Sequence, residues 1–138
     1  MDAQHTGSAG WGPVPVRLVV GLVFLVHGMQ KLLFFGLAGT AAFMGHVGIP
    51  LPTLAAAVVM AVETLGGLAL IVGLFTRWAA ALLAIDMLVA MLTVHLRAGF
   101  FVPHGVEFTL TLFGASLSLA LLGPGAWSLD QALGRRRF

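Results

Sequence analysis

The chain contains no cysteine. A disulfide relay, an iron–sulfur cluster and a covalently attached c-type haem are therefore beyond its own means, and any redox chemistry must use a borrowed cofactor. Charge is scarce as well: 9% of the 138 residues are Asp, Glu, Lys or Arg, against 59% hydrophobic and a mean hydropathy of +1.04. Water does not keep such a chain in solution, so it reads as an integral membrane protein. The net charge of +2 and pI of about 10.6 do not indicate a nucleic-acid partner, because the seven Lys and Arg sit at segment ends or inside apolar runs. There they orient a protein in a bilayer. No basic n-region precedes the first apolar run, so a cleaved secretory signal is not expected. Internal repeats, low-complexity segments and a soluble domain are also missing, and no metal site is expected.

What is present is a series of apolar runs. Residues 1–13 are small, polar and Gly-rich and read as a flexible tail. Spans are predicted at about 14–35, 53–75, 78–95 and 106–122, each near the ~20 residues that a hydrocarbon core requires. Between the first two, residues 36–52 carry several glycines and prolines and read as a loop, with one short interfacial helix around Ala41 to Val47 resting Phe43 and Met44 on the bilayer. Gly66, Gly67 and Gly73 let another backbone approach the second span closely. Gly123–Pro124–Gly125 ends the fourth span, and residues 123–138, with a Ser128 helix cap and Arg135 to Arg137, read as a basic interfacial tail.

The expected fold is thus all-α, a polytopic four-transmembrane-helix bundle. Four spans put both termini on one side with Arg17, Arg77 and the terminal arginines, leaving Lys31 and Arg97 on the other. The positive-inside rule makes both termini cytoplasmic, and Trp11, Trp78 and Trp127 fall on that side as an interfacial belt would.

The first span carries a basic pair, His27 and Lys31, four residues apart and so on one helical face. A Lys near the bilayer centre costs roughly 2.5 to 3.5 kcal/mol unless it snorkels, so something should face it. At ~1.5 Å per residue, His27 lies about 16 Å and Lys31 about 22 Å from the inner end, while Glu63 enters about 15 Å from the outer side. These depths make Glu63 the counterpart of His27 or Lys31. His95, Arg97, His104 and Glu107 collect at the outer ends of the third and fourth spans. Asp86 is a second-rank candidate, either buried like Glu63 or directed at Arg17 or Arg77. The plainer readings are that Lys31 snorkels, that His46, Arg97, His104 and Glu107 are wetted loop residues, and that the phenylalanines pack or touch lipid.

RLVVGLVFLVHGMQKL, ETLGGLALIVGLFTRWAA, HLRAGFF and GPGAWSLD occur here in the order and spacing of the DoxX family of small bacterial membrane proteins, which the chain resembles from about Arg17 to Asp130. The resemblance implies a four-helix bundle in the bacterial cytoplasmic (inner) membrane. It also implies a link to quinone, since some members are similar to the quinone-reducing membrane subunit of a thiosulfate oxidoreductase and others are tied to oxidative or thiol stress. Positions matching the family pattern are Arg17, His27, Gly28, Lys31, Glu63, Gly66, Gly67, Gly73, Arg77, His95, Gly99, Glu107 and Gly123. The soluble partner domain of the thiosulfate enzymes is missing here, as is cysteine.

The leading expectation is a quinone-interacting accessory or redox subunit; the alternative is a non-catalytic membrane scaffold or chaperone-like subunit in which the polar cluster only fixes helix register, and a small-molecule or proton transporter with Glu63 as carrier is a third reading. Glu63, His27 and Lys31 are the expected catalytic set, with His95, Arg97, Phe101 and Glu107 joining them around a cofactor and Phe34, Phe35 and Phe100 lining its approach. Haem held by His27 and His95 is a further alternative. The bilayer, quinone, other redox subunits or a second copy are the expected partners.

Overall fold

The computed structural model describes residues 10–134, and every regular element in them is helical. Helix α1, Pro13–Gln30, opens with prolines in its first turn, where a missing N–H costs nothing, and runs into a π-helical turn at Lys31–Phe35. Gly36 then takes φ +65° and turns the chain into α2, Gly36–His46. Helices α3, Pro52–Val72, α4, Thr76–Ala90, and α5, Glu107–Leu122, follow. Helix α4 continues through a π-helical turn, Met91–His95, and a 3-10 turn, Leu96–Ala98. A short α6, Leu129–Ala132, closes the described chain and is capped by Ser128 Oγ, which accepts from Gln131 N at 3.1 Å.

Three stretches are long and apolar enough to cross a bilayer, Pro13–His46, Pro52–Val72 and Thr76–Ala98, and Glu107–Leu122 is a shorter apolar helix. Helix α1 packs on α3, α3 on α4, α4 on α5 and α5 back on α1, which closes a four-helix bundle. The bundle is apolar on its outside: Leu33, Phe34, Leu65, Trp78 and Leu121 are 64–81% exposed. A continuous surface of this kind is covered by lipid. Its interior core, around Val20, Phe24, Leu70, Leu83 and Leu119, is shared with buried Arg17, Glu63 and Asp130.

The 36–52 region departs from the expected loop. Helix α2 is longer than the predicted 41–47 segment and packs on α3, where Met44 is buried with Ala41 and Ala56 instead of resting on lipid. The glycines that suggested a loop lie within the helix or at its ends, and the small faces of α2 and α3 let the two helices fit together.

At the opposite end, residues 123–134 fold over the bundle. The buried Arg17 guanidinium donates to the carbonyls of Pro124 (2.5 Å) and Trp127 (2.8 Å). Asp130, fully buried, accepts from Phe75 N at 2.8 Å and Thr76 N at 2.9 Å, so a carboxylate from the tail caps the N-terminus of α4. Phe75 has φ +48°, a left-handed conformation unfavourable for an aromatic residue, and this double hydrogen bond holds it there. Gly73, φ +71°, accepts from Asp130 N, and a Cβ there would lie 2.7 Å from Arg17 Nη1. Arg77 donates to the carbonyls of Ala120 and Leu121 at the end of α5. Arg17, read from sequence as a topology signal, is thus also the pin that joins the start of α1 to the tail. The N-terminal tail up to residue 9 and Arg135 to Arg137 lie outside the described residues.

Asp130→Asn keeps the shape of this latch but turns one acceptor into a donor. Thermal unfolding in detergent should show a loss of about 1–3 kcal/mol; an unchanged midpoint would mean that the latch contributes no stability.

Candidate functional site

The site begins with a close helix contact. A Cβ on Gly67 would sit 2.5 Å from Leu25 N and 2.7 Å from Gly21 O, and one on Gly28 would sit 2.6 Å from Thr64 N. Helices α1 and α3 therefore meet backbone to backbone, which only glycine permits. Three residues beyond Gly28 stands Lys31, and next to Thr64 stands Glu63. Lys31 Nζ donates to Glu63 Oε2 at 2.6 Å, with the side chains 22% and 5% exposed. The charge that was costly alone in the first span has its counterion, and Glu63 has a cation in place of water.

This ion pair borders a cavity of about 420 Å³ in the half of the bundle away from the tail. The volume is that of a small-molecule site, roughly 300–1,000 Å³. Phe24, Met44, Met87, Phe108 and Leu112 supply much of the apolar wall. Among its polar residues are Lys31, Glu63, Asp86, His27 and His95. Asp86 on α4 is in side-chain contact with Glu63, and its Oδ2 is buried without a donor. Two carboxyl groups and one ammonium therefore meet at this wall.

The histidines are oriented by backbone. His27 Nδ1 lies 2.8 Å from Val23 O, and His95 Nδ1 lies 2.7 Å from His104 O. A carbonyl only accepts, so Nδ1 carries the hydrogen in both rings, and Nε2 of each neutral ring is left as a lone pair. The His27 ring also lies 6.0 Å from that of Phe108. Both π-helical turns contribute to the wall, one through Lys31 and the other through Thr93 and His95. Each π turn shifts the helical register, which re-aims the side chains that follow it.

The structure thus gathers His27, Lys31, Glu63 and His95 around one cavity, and pairs Glu63 with Lys31 and not with His27. Arg97, Phe101 and Glu107 do not line it. Glu107 instead accepts from Val102 N at 2.7 Å and holds the α4–α5 connection, while Arg97 and Phe101 are exposed. Phe34, Phe35 and Phe100 are outside the wall too, where Phe43 and Phe108 take the place foreseen for them. Among the described residues, no three His, Cys, Asp or Glu side chains gather as metal ligands would.

The family model for DoxX matches residues 12–96. The chain belongs to the DoxX family. It is 38% identical over 119 residues to "Putative oxidoreductase CatD" of Bacillus subtilis, covering 86% of this chain and 84% of that one. It is 37% identical over 132 residues to the membrane protein Rv3486 of Mycobacterium tuberculosis (88% and 80% covered) and 32% identical over 121 residues to "Inner membrane protein YphA" of Escherichia coli (83% and 85% covered). No solved structure matches the chain.

Sequence reasoning underrated two parts of this DoxX site. Asp86 is about 12 Å and Glu63 about 18 Å from the inner end of its span at ~1.5 Å per residue, so both are well inside the bilayer, and this was the available signal. The contribution of α2, through Thr40, Phe43 and Met44, had no such signal once the segment was read as a loop.

The two halves of the ion pair are not equivalent. Glu63 is the more deeply buried partner, whereas Lys31 has a long stem that can reach toward the membrane surface. Lys31→Met should therefore cost roughly 3 kcal/mol, and Glu63→Gln about 1 kcal/mol or less, in unfolding titrations in detergent. Equal losses, or a larger loss for Glu63→Gln, would contradict this asymmetry.

Proposed function

We propose that this DoxX-family protein is a quinone-interacting accessory or redox subunit of the bacterial cytoplasmic membrane. In this reading it is a four-span bundle with both termini cytoplasmic and the cavity in the outer half of the bilayer. The observation that carries the proposal is a cavity of about 420 Å³ whose largely apolar wall includes the Lys31–Glu63 ion pair, Asp86, His27 and His95. The donor set fits the group: an apolar wall suits a ring carried in lipid, and Lys31 Nζ has two hydrogens beyond the one given to Glu63. The oxidoreductase name of CatD and the inner-membrane name of YphA support the redox and localisation parts of the reading.

A bound quinone would supply a two-electron, two-proton couple that the chain lacks. Lys31 would hold one ring oxygen and stabilise negative charge there. Glu63 keeps the ammonium in place, and Asp86 beside it completes a cluster able to hold a proton and pass it on. His27 Nε2 can accept a hydrogen from a ring hydroxyl, while Val23 O fixes the imidazole in its tautomer. Electrons would come from a partner subunit, because the chain has no cysteine for a thiol relay or cluster.

Ala90 lines the cavity one helical turn beyond Asp86, so Ala90→Phe fills space without removing a charge. Lipid extracts of the purified protein should contain quinone, and this variant should lower the amount about tenfold, equivalent to about 1.4 kcal/mol of binding, with the thermal midpoint maintained. A protein without quinone, whose unfolding is also unaffected by added quinone, would contradict the proposal. Retained activity of a partner complex with the filled cavity would favour the scaffold reading.

A further inference from the structure

The hydrogen-bonding wall of the cavity is strongly one-sided. Thr40 Oγ1 donates to Gly36 O (2.8 Å), Thr93 Oγ1 to Val89 O (2.7 Å) and Thr109 Oγ1 to Val106 O (3.0 Å). All three threonines line the cavity, and each has spent its only hydrogen on its own helix backbone, leaving oxygen lone pairs. His27 and His95 have done the same with their Nδ1 hydrogens. Asp86, in contact with Glu63, adds a buried carboxyl oxygen, Oδ2, that has no hydrogen-bond partner. Against these acceptors, the charged donor at the wall is Lys31, and one of its hydrogens already belongs to Glu63.

A ligand that only accepts hydrogen bonds, such as the oxidised ring with its two carbonyl oxygens, matches Lys31 and leaves the two imidazoles unanswered. A ring with hydroxyl groups satisfies acceptors on the wall and still offers oxygen lone pairs to Lys31. Thr40, Thr109 and Asp86 Oδ2 are buried and the two imidazoles partly so, and a polar group left without a partner away from water is penalised far more than a satisfied one is rewarded, so discrimination follows from the mismatch. We propose that the His27, His95 and threonine acceptors make this cavity selective for the reduced, dihydroxy form of an aromatic ring over its oxidised dione. This rests on the quinone reading above and names which member of the couple the site is shaped for.

The consequence is thermodynamic. A site that binds the hydroquinone more tightly than the quinone raises the reduction potential of the bound couple, by about 30 mV for each tenfold of preference in a two-electron couple. The cavity therefore favours acceptance of electrons by the ring, and the imidazole lone pairs stabilise the hydroxyls that result.

Three probes test this with the full-length protein in nanodiscs under anaerobic conditions: duroquinol, duroquinone of nearly the same outline, and the bulkier dimethyl ether of duroquinol, which accepts hydrogen bonds but cannot donate them. Calorimetric titration should show duroquinol binding at least about tenfold more tightly than either of the others, equivalent to about 1.4 kcal/mol. The double variant His27→Leu/His95→Leu should remove most of that preference, the threonines keeping the rest, while duroquinone still binds, which also shows that the variant is folded. Duroquinone or the dimethyl ether binding as tightly as duroquinol would overturn the selectivity and leave the quinone reading standing. If none of the three binds, the quinone reading itself fails, and this inference with it.

Discussion

The Lys31–Glu63 ion pair governs the half of the molecule that faces away from the tail. Neither charge belongs in a bundle coated with hydrocarbon unless the other is held against it, and what holds them is the absence of side chains at Gly21, Gly28 and Gly67. Backbone contact between α1 and α3 fixes the distance between two groups that long side chains alone would leave loose. Around that fixed pair the remaining helices leave a space. Asp86 from α4 and His27 and His95 from α1 and α4 turn the space from a packing gap into a polar-edged cavity.

The other half of the bundle is built to be rigid. Arg17, Asp130, Gly73 and Arg77 tie the start of α1, the α3–α4 turn, the end of α5 and the tail into one hydrogen-bonded end. The charges of Arg17, Asp130 and Arg77 are met by backbone carbonyls and amides, inside a packed end. The molecule therefore divides into a closed end and a receptive end. The π-helical turns, at Lys31–Phe35 and Met91–His95, occur in the receptive one. That division suits a protein in which one end must stay assembled while the other admits a guest.

Much of this was legible in the residues. Apolar runs set helix limits, and α3, α5, and α1 and α4 with their π-helical turns begin and end within a few residues of the runs, although the first stretch continues through α2 to His46. Depth counting brought Glu63 level with the basic pair. Helix rotation was not legible, since every residue of a lipid-bathed helix can be apolar whichever way it faces. Hence the choice of Lys31 over His27 as the partner of Glu63, and the membership of Asp86, needed the structure. Arg17 shows a further limit: its position in the sequence is that of an orienting surface charge, yet its contacts lie more than a hundred residues away. The glycines of α2 misled because Gly36 and Gly48 mark the ends of the helix, while Gly39 and Gly45 sit inside it at no more than ordinary contact distance from their neighbours.

In the proposed reading, the cavity between α1, α3 and α4 is where this DoxX-family protein meets a small aromatic ligand. Photolabelling in native membranes with an azido-quinone, followed by mass-spectrometric mapping of the label that excess unlabelled quinone competes away, tests it most directly. Competed label is expected on the segments from Phe24 to Lys31, Thr40 to Met44 and Asp86 to His95. Competed label confined to the lipid-facing groove at Leu65, Trp78 and Leu82, or no competable label at all, would contradict it.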